Sequence, residues 1–178
     1  LDRLQGEAPA RVVLVLSNRA DAGGLERARG AGVPAEVFSD PADASERITR
    51  LGRREVDLLV LAGYLKLVPP AVVQKYAGRI VNVHPALLPA FGGAGMYGKR
   101  VHEAVLASGA AESGPTVHLV DEVYDRGAIL AQRRVPVLPD DTPDRLAGRV
   151  LAVEHALLPE VVLAAARAGR PVPVPEEA

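Results

Sequence analysis

Three short aliphatic runs limit what this chain can fold into: Arg11-Val-Val-Leu-Val-Leu-Ser17, Val56-Asp-Leu-Leu-Val-Leu-Ala62 and Arg79-Ile-Val-Asn-Val-His84. The first two are nearly continuous in apolar residues, as strands buried on both faces must be. Between the runs lie stretches of helical character. One covers 24–29 and is stopped by Gly30 and Gly32, a second covers about 41–51, and a third about 70–76. A brief strand at 35–38 separates the first two helices. Parallel neighbours need crossover connections, so this alternation predicts an α/β fold with a mostly parallel sheet and helices on both faces.

The pattern changes after His84. Residues 85–98 form a Pro- and Gly-rich stretch too long for a simple connector, which predicts a functional loop. A helix follows over about 99–108, then strands at 115–120 and 128–137. The seven residues between these strands predict a hairpin-like antiparallel link. Asp141-Thr-Pro-Asp144 reads as a helix start, with a capping residue and Pro in the first turn, and the helix should run to about Ala168. Residues 170–175 are expected to be extended and loosely held.

Composition narrows the function. With 178 residues, 48% hydrophobic, the chain can bury one real core. A net charge of −1 argues against a nucleic-acid grip built on phosphate contacts. The absence of cysteine excludes disulfides, zinc-finger sites and a thiol nucleophile, and it is compatible with a cytoplasmic protein. No apolar run reaches membrane-spanning length, and no secretory apolar region opens the sequence. Neither nucleic acid nor membrane is therefore expected as a partner. Oligomeric state is not legible.

The chemistry concentrates at the end of the third strand. Asn82 and His84 are two residues apart, so on a strand both point to one face, while Val81 and Val83 point to the other. Pro85 ends the strand. An amide donor and an imidazole then project where open α/β sheets keep their ligands. The pair suits stabilisation of a negative oxygen with proton transfer, and equally suits a buried, hydrogen-bonded strand end. Asp125, in the 121–127 link, is either a solvated loop acid or the partner that orients His84 and raises its pKa. His118 shares a face with Thr116 and Val120, as a support for the site or as a satisfied core histidine. His84, His118 and Asp125 also form a possible zinc set, without helical ligand spacing behind it. The Gly92-Gly-Ala-Gly-Met-Tyr-Gly98 segment lacks both the Walker and the dinucleotide patterns, and reads as a binding loop or a plain turn. His102 and His155 are expected to be surface or packing residues.

With these motifs assembled, the chain resembles the phosphoribosylglycinamide formyltransferases (glycinamide ribonucleotide transformylases). The resemblance rests on Ser17-Asn-Arg-Ala-Asp-Ala22, Gly24-Leu-Glu-Arg27, Leu61-Ala-Gly-Tyr64, Asn82-Val-His-Pro-Ala-Leu-Leu-Pro89, Thr116-Val-His118, Asp121-Glu-Val-Tyr-Asp125 and Glu154-His155. It implies a Rossmann-like formyltransferase fold whose C-terminal part carries an antiparallel hairpin, in one domain over 1–178. The family's first strand and glycine- and serine-rich phosphate loop have no counterpart here, and about 20 further N-terminal residues are expected to supply them, about one strand and a loop. The first run would then be an exposed sheet edge.

The resemblance further implies transfer of a formyl group from 10-formyltetrahydrofolate to the amine of glycinamide ribonucleotide, without metal. Asn82, His84 and Asp125 would be catalytic, with His84 protonated against the oxyanion. The reduced folate would lie between Leu65, Lys66, Leu67 and Val68 on one side and Val120, Asp121, Glu122 and Asp125 on the other. Lys66 would face the acidic glutamyl tail or simply be solvated. Pro85 and Glu154 would meet the ribonucleotide, and His118 and Thr116 would support the site. Leu151 departs from relatives that carry a polar contact residue there. The rivals are a formyltetrahydrofolate hydrolase using the same three residues and a non-catalytic folate-binding module. Pro85 and the single-domain length favour the transferase.

Overall fold

A computed structural model describes residue 4 and residues 9–38 and 43–175. Among them the chain order is β1 (Val15–Ser17), α1 (Gly23–Gly30), β2 (Ala35–Val37), α2 (Ala44–Gly52), β3 (Leu59–Leu61), α3 (Pro70–Lys75) and β4 (Ile80–His84). These are followed by α4 (Lys99–Ser108), β5 (Glu112–Ser113), β6 (Thr116–Leu119), β7 (Ile129–Gln132), β8 (Val135–Pro136) and α5 (Pro143–Ala168).

The expected parallel pairs are present. β1 pairs with β2 and β3 with β4, both parallel. β6 lies antiparallel on β4, and β7 antiparallel on β6, giving a four-stranded order β3-β4-β6-β7. Helices cover both faces, as the alternation predicted. Val81 and Val83 turn toward α5, where they meet Leu157 and Val161 together with Val117 and Leu130. Ile80 turns the other way, into a cluster with Val72, Val73 and Tyr76 around α3 and Leu51 of α2. A third cluster joins Val101 and Val105 of α4 to Leu146 and Val150 of α5. That last contact fixes the helix that follows the 85–98 loop.

Several expectations need correction. The run at 11–17 pairs only over its last three residues, because β2, its parallel partner, is three residues long. The helix expected over 41–51 is described from Ala44, with Asp43 accepting from the Glu46 amide at 2.9 Å; residues 41 and 42 lie outside the described residues. The single strand expected over 128–137 divides in two. β7 stays in the main sheet, whereas β8 leaves it to pair with β5. Gly114 makes this possible, since a Cβ there would strike the Arg133 carbonyl. Thr142 is the expected cap of α5, accepting from the Arg145 amide at 3.3 Å. Asp141 holds the Leu138 amide and Arg149. The C-terminal segment is not loose at Val174, whose amide donates to the Leu130 carbonyl at 2.8 Å and whose side chain joins the core.

Candidate active site

The cleft is built from the β4–β6 ladder. Asn82 stands directly opposite His118, and His84 opposite Thr116, so all four side chains share one sheet face. Asp125 reaches the same place from the link between β6 and β7. It has φ 56°, a left-handed conformation that Asp tolerates better than most residues. Gly127 then lets the link close on β6, because a Cβ there would collide with the Leu119 carbonyl.

Distances define the constellation. His84 Nε2 lies 2.8 Å from the Phe91 carbonyl. A carbonyl only accepts, so this nitrogen carries a proton, and in the neutral ring Nδ1 is left with a lone pair. Nδ1 faces Asp125 Oδ2 at 3.6 Å. The same Oδ2 accepts from the Gly93 amide at 2.9 Å, and Oδ1 lies 3.5 Å from His118 Nε2. His118 Nδ1 donates to the Leu119 carbonyl at 2.7 Å, and its Nε2 is 3.1 Å from Asn82 Nδ2. One carboxylate thus sits between two imidazoles.

Electrostatics corrects the expectation for His84. Burial is the largest influence and pulls its pKa below the ordinary value; Asp125 and the Phe91 carbonyl oppose that pull without overcoming it. The ring is only 3% exposed, so desolvation of the cation outweighs one carboxylate that is not in hydrogen-bond contact. His84 is therefore held neutral in this cleft. Asp125 feels burial pushing up, but His118, the Gly93 amide and His84 together bring it below the usual carboxylate value. It is an anion across the physiological range. Burial raises Glu154.

Thr116 stands behind the cleft, fully buried. Its hydroxyl donates to the Ala86 carbonyl at 2.6 Å and accepts from the Leu88 amide at 3.0 Å and from Gln132 Nε2 at 2.9 Å. It ties the start of the 85–98 loop to the sheet, and that loop returns Phe91 and Gly93 to His84 and Asp125. The return is tight at Gly92: a Cβ would lie 2.5 Å from Leu88 Cδ2, a side-chain end that would have to turn aside, and 3.2 Å from Asp125 Cβ.

The cavity beside these groups measures about 340 Å³. Asn82, His84, His118 and Asp125 line it, as do Pro85 and Glu154. Leu65, Lys66, Leu67, Val68, Val120 and Asp121 also line it. Glu122 stands outside, exposed, accepting from Gln74 Nε2 at 3.3 Å, because the link turns its side chain toward α3. The sequence reading left open what the 92–98 loop does; residues 93–98 line the cavity, Met96 and Tyr97 among them. It missed Tyr64 as a lining residue, while Val123 and Tyr124, also lining, fall within the 120–125 link expected to face the folate. It also missed the Phe91 carbonyl, which no side-chain pattern announces. His155 is exposed, but His102 is a buried residue of α4. The zinc reading gains no geometry: among the described residues no group of three His, Asp or Glu side chains is set to hold a metal ion.

A concave, largely apolar cleft in which the Asn82 amide, the His84 imidazole and the Asp125 carboxylate converge suits acyl transfer. A formyl transferase family profile matches residues 2–162. The chain belongs to the formyl transferase family. It is 52% identical over 164 residues to the chloroplastic phosphoribosylglycinamide formyltransferase of Arabidopsis thaliana, covering 88% of this chain and 56% of that relative. To the phosphoribosylglycinamide formyltransferase of Haemophilus influenzae it is 39% identical, covering 88% of this chain and 74% of the relative. The crystal structure of glycinamide ribonucleotide transformylase 1 from Symbiobacterium toebii superposes with a TM-score of 0.85 at 40% identity, covering 97% of this chain and 84% of that one. The chain thus spans little more than half the length of its plant relative.

Proposed function

We propose that this cleft transfers a formyl group from 10-formyltetrahydrofolate to the amine of glycinamide ribonucleotide, a step of purine synthesis. The observation that carries the reading is the convergence of Asn82, His84 and Asp125 on one cavity, with His84 Nδ1 3.6 Å from Asp125 Oδ2. The amine nitrogen bonds to the formyl carbon while the carbonyl electrons move to oxygen. An Asn82 N–H donates to that oxyanion. The ammonium proton passes to His84 Nδ1, directly or through water, and the imidazolium so formed faces Asp125. The same proton then goes to the folate N10 as its bond to carbon breaks, and the carbonyl re-forms. His84 begins neutral in this scheme, which agrees with its burial better than a ring protonated from the outset.

The folate is assigned to the space between Leu65, Lys66, Leu67 and Val68 and the 120–125 link. Exposed Leu65, Val123 and Tyr124 offer apolar contact there. Pro85 and Glu154 are assigned to the ribonucleotide. The relatives' names support the transferase over the hydrolase. A cytoplasmic setting belongs to the proposal and is supported by the cysteine-free sequence; among the described residues no helix is long and apolar enough to cross a membrane.

The proposal extends to the phosphate. β1 and β3 contribute Leu16, Leu59 and Leu61 to one apolar cluster, yet no backbone pairing joins them among the described residues. A strand preceding Leu1, placed beside β1, with its loop over the substrate phosphate would complete the site. If so, the intact protein binds glycinamide ribonucleotide more tightly than the 178-residue chain, while both bind a folate analogue alike. Equal affinity for the ribonucleotide would remove this part. The catalytic assignment is tested by initial rates. His84→Ala should abolish most turnover while leaving calorimetric binding of a folate analogue nearly intact; unchanged turnover would defeat it.

A further inference from the structure

The pairing of Asn82 with His118 carries information that the catalytic set alone does not. An oxyanion donor is useful only if its N–H, not its carbonyl oxygen, faces the reacting atom, and an asparagine amide can sit either way round. The strand sets only where the side chain leaves the backbone.

The orientation is decided by His118, which is 2% exposed. Its Nδ1 is 2.7 Å from the Leu119 carbonyl and must carry the proton. In its neutral form the ring then has a bare Nε2, which accepts. Asn82 stands 3.1 Å away as its direct cross-strand partner. Only the amide nitrogen can satisfy that acceptor, which leaves the second N–H of the same group for a ligand in the cleft that Asn82 lines. The β6–β7 register shifts between Val117 and His118, a bulge of the kind that re-aims side chains beside sites.

We infer that His118 is a positioning residue, whose Nε2 fixes the Asn82 amide with its nitrogen toward the oxyanion. This rests on the formyl-transfer reading for its kinetic consequence, though not for its structural one.

Two measurements test it. In the intact protein with ¹⁵N-labelled histidine, His118 should show a protonated Nδ1 and a bare Nε2 whose resonance moves on Asn82→Ala. A proton on Nε2 of the neutral ring overturns the inference, whatever the enzyme does. In kinetics, His118→Leu should lower kcat about 10- to 100-fold with little change in the KM for folate, less than the full loss of an oxyanion donor. Glutamine can place an accepting oxygen near the position of Nε2, so His118→Gln should recover much of that loss. In an Asn82→Ala background, His118→Leu should add almost nothing. An unchanged kcat, no difference between Leu and Gln, or additive losses would each refute the role. Absence of formyl transfer in the wild type would sink the proposed function, while the tautomer result would still stand or fall alone.

Discussion

Asp125→Asn isolates the electrostatic part of the proposed reaction. Asparagine accepts the same φ of 56° and keeps an oxygen for the Gly93 amide, so the link should hold its shape. What disappears is a negative charge 3.6 Å from His84 Nδ1, between side chains that are 10% and 4% exposed. A unit charge pair near 4 Å is worth about 4 kcal/mol at the effective dielectric that suits protein sites. While His84 is neutral that attraction is absent, so ground-state binding barely changes. Once the ring takes the substrate proton, its loss raises the barrier by about 3–4 kcal/mol, roughly 10²–10³ in kcat. Initial rates at saturating substrates and calorimetry with a folate analogue separate the two effects. A kcat within about threefold of wild type, or a folate affinity falling as far as kcat, would refute the reasoning.

Other perturbations probe the supports. Thr116→Val removes a buried hydroxyl serving Ala86, Leu88 and Gln132; it should cost about 1–3 kcal/mol in denaturant unfolding. Gly92→Ala forces apart Leu88 and Asp125; kcat should fall well beyond any loss of thermal stability, and an unchanged kcat would show that the loop return is not tight. Burial sets His84 below its ordinary 6.5, so kcat/KM should be level at and above that pH and fall only below it, as the base becomes protonated. Because burial lowers His84 and His102 in the fold, the unfolded chain binds protons first. Stability should therefore fall as pH drops below about 6.5, toward the folded-state values. Unfolding midpoints from pH 7.5 down to 5 check the sign.

Much of this site was legible because its parts follow strand rules. Period-two spacing put Asn82 and His84 on one face, and the continuous aliphatic runs announced buried strands with helices on both sides. Asp125 was a candidate because a seven-residue link could return it to the strand end. What escaped has physical reasons. The protonation of His84 depends on burial and on Asp125, the Phe91 carbonyl and His118, groups that the strand pattern does not reveal. The Phe91 carbonyl and Gly93 amide are backbone groups with no residue-type signature. Glu122 and Asp125 lie in one acidic link, and only the turn geometry sends one outward and the other in. The split of the 128–137 strand required a partner, β5, of just two residues.

The central claim is tested most directly by following the formyl carbon. With ¹³C-labelled 10-formyltetrahydrofolate and glycinamide ribonucleotide, the intact protein, including any residues that precede Leu1, should move the label into the amide of formylglycinamide ribonucleotide. His84→Ala should all but stop that transfer. Label appearing as free formate at the same rate with or without the ribonucleotide, or remaining on the folate, would contradict the account.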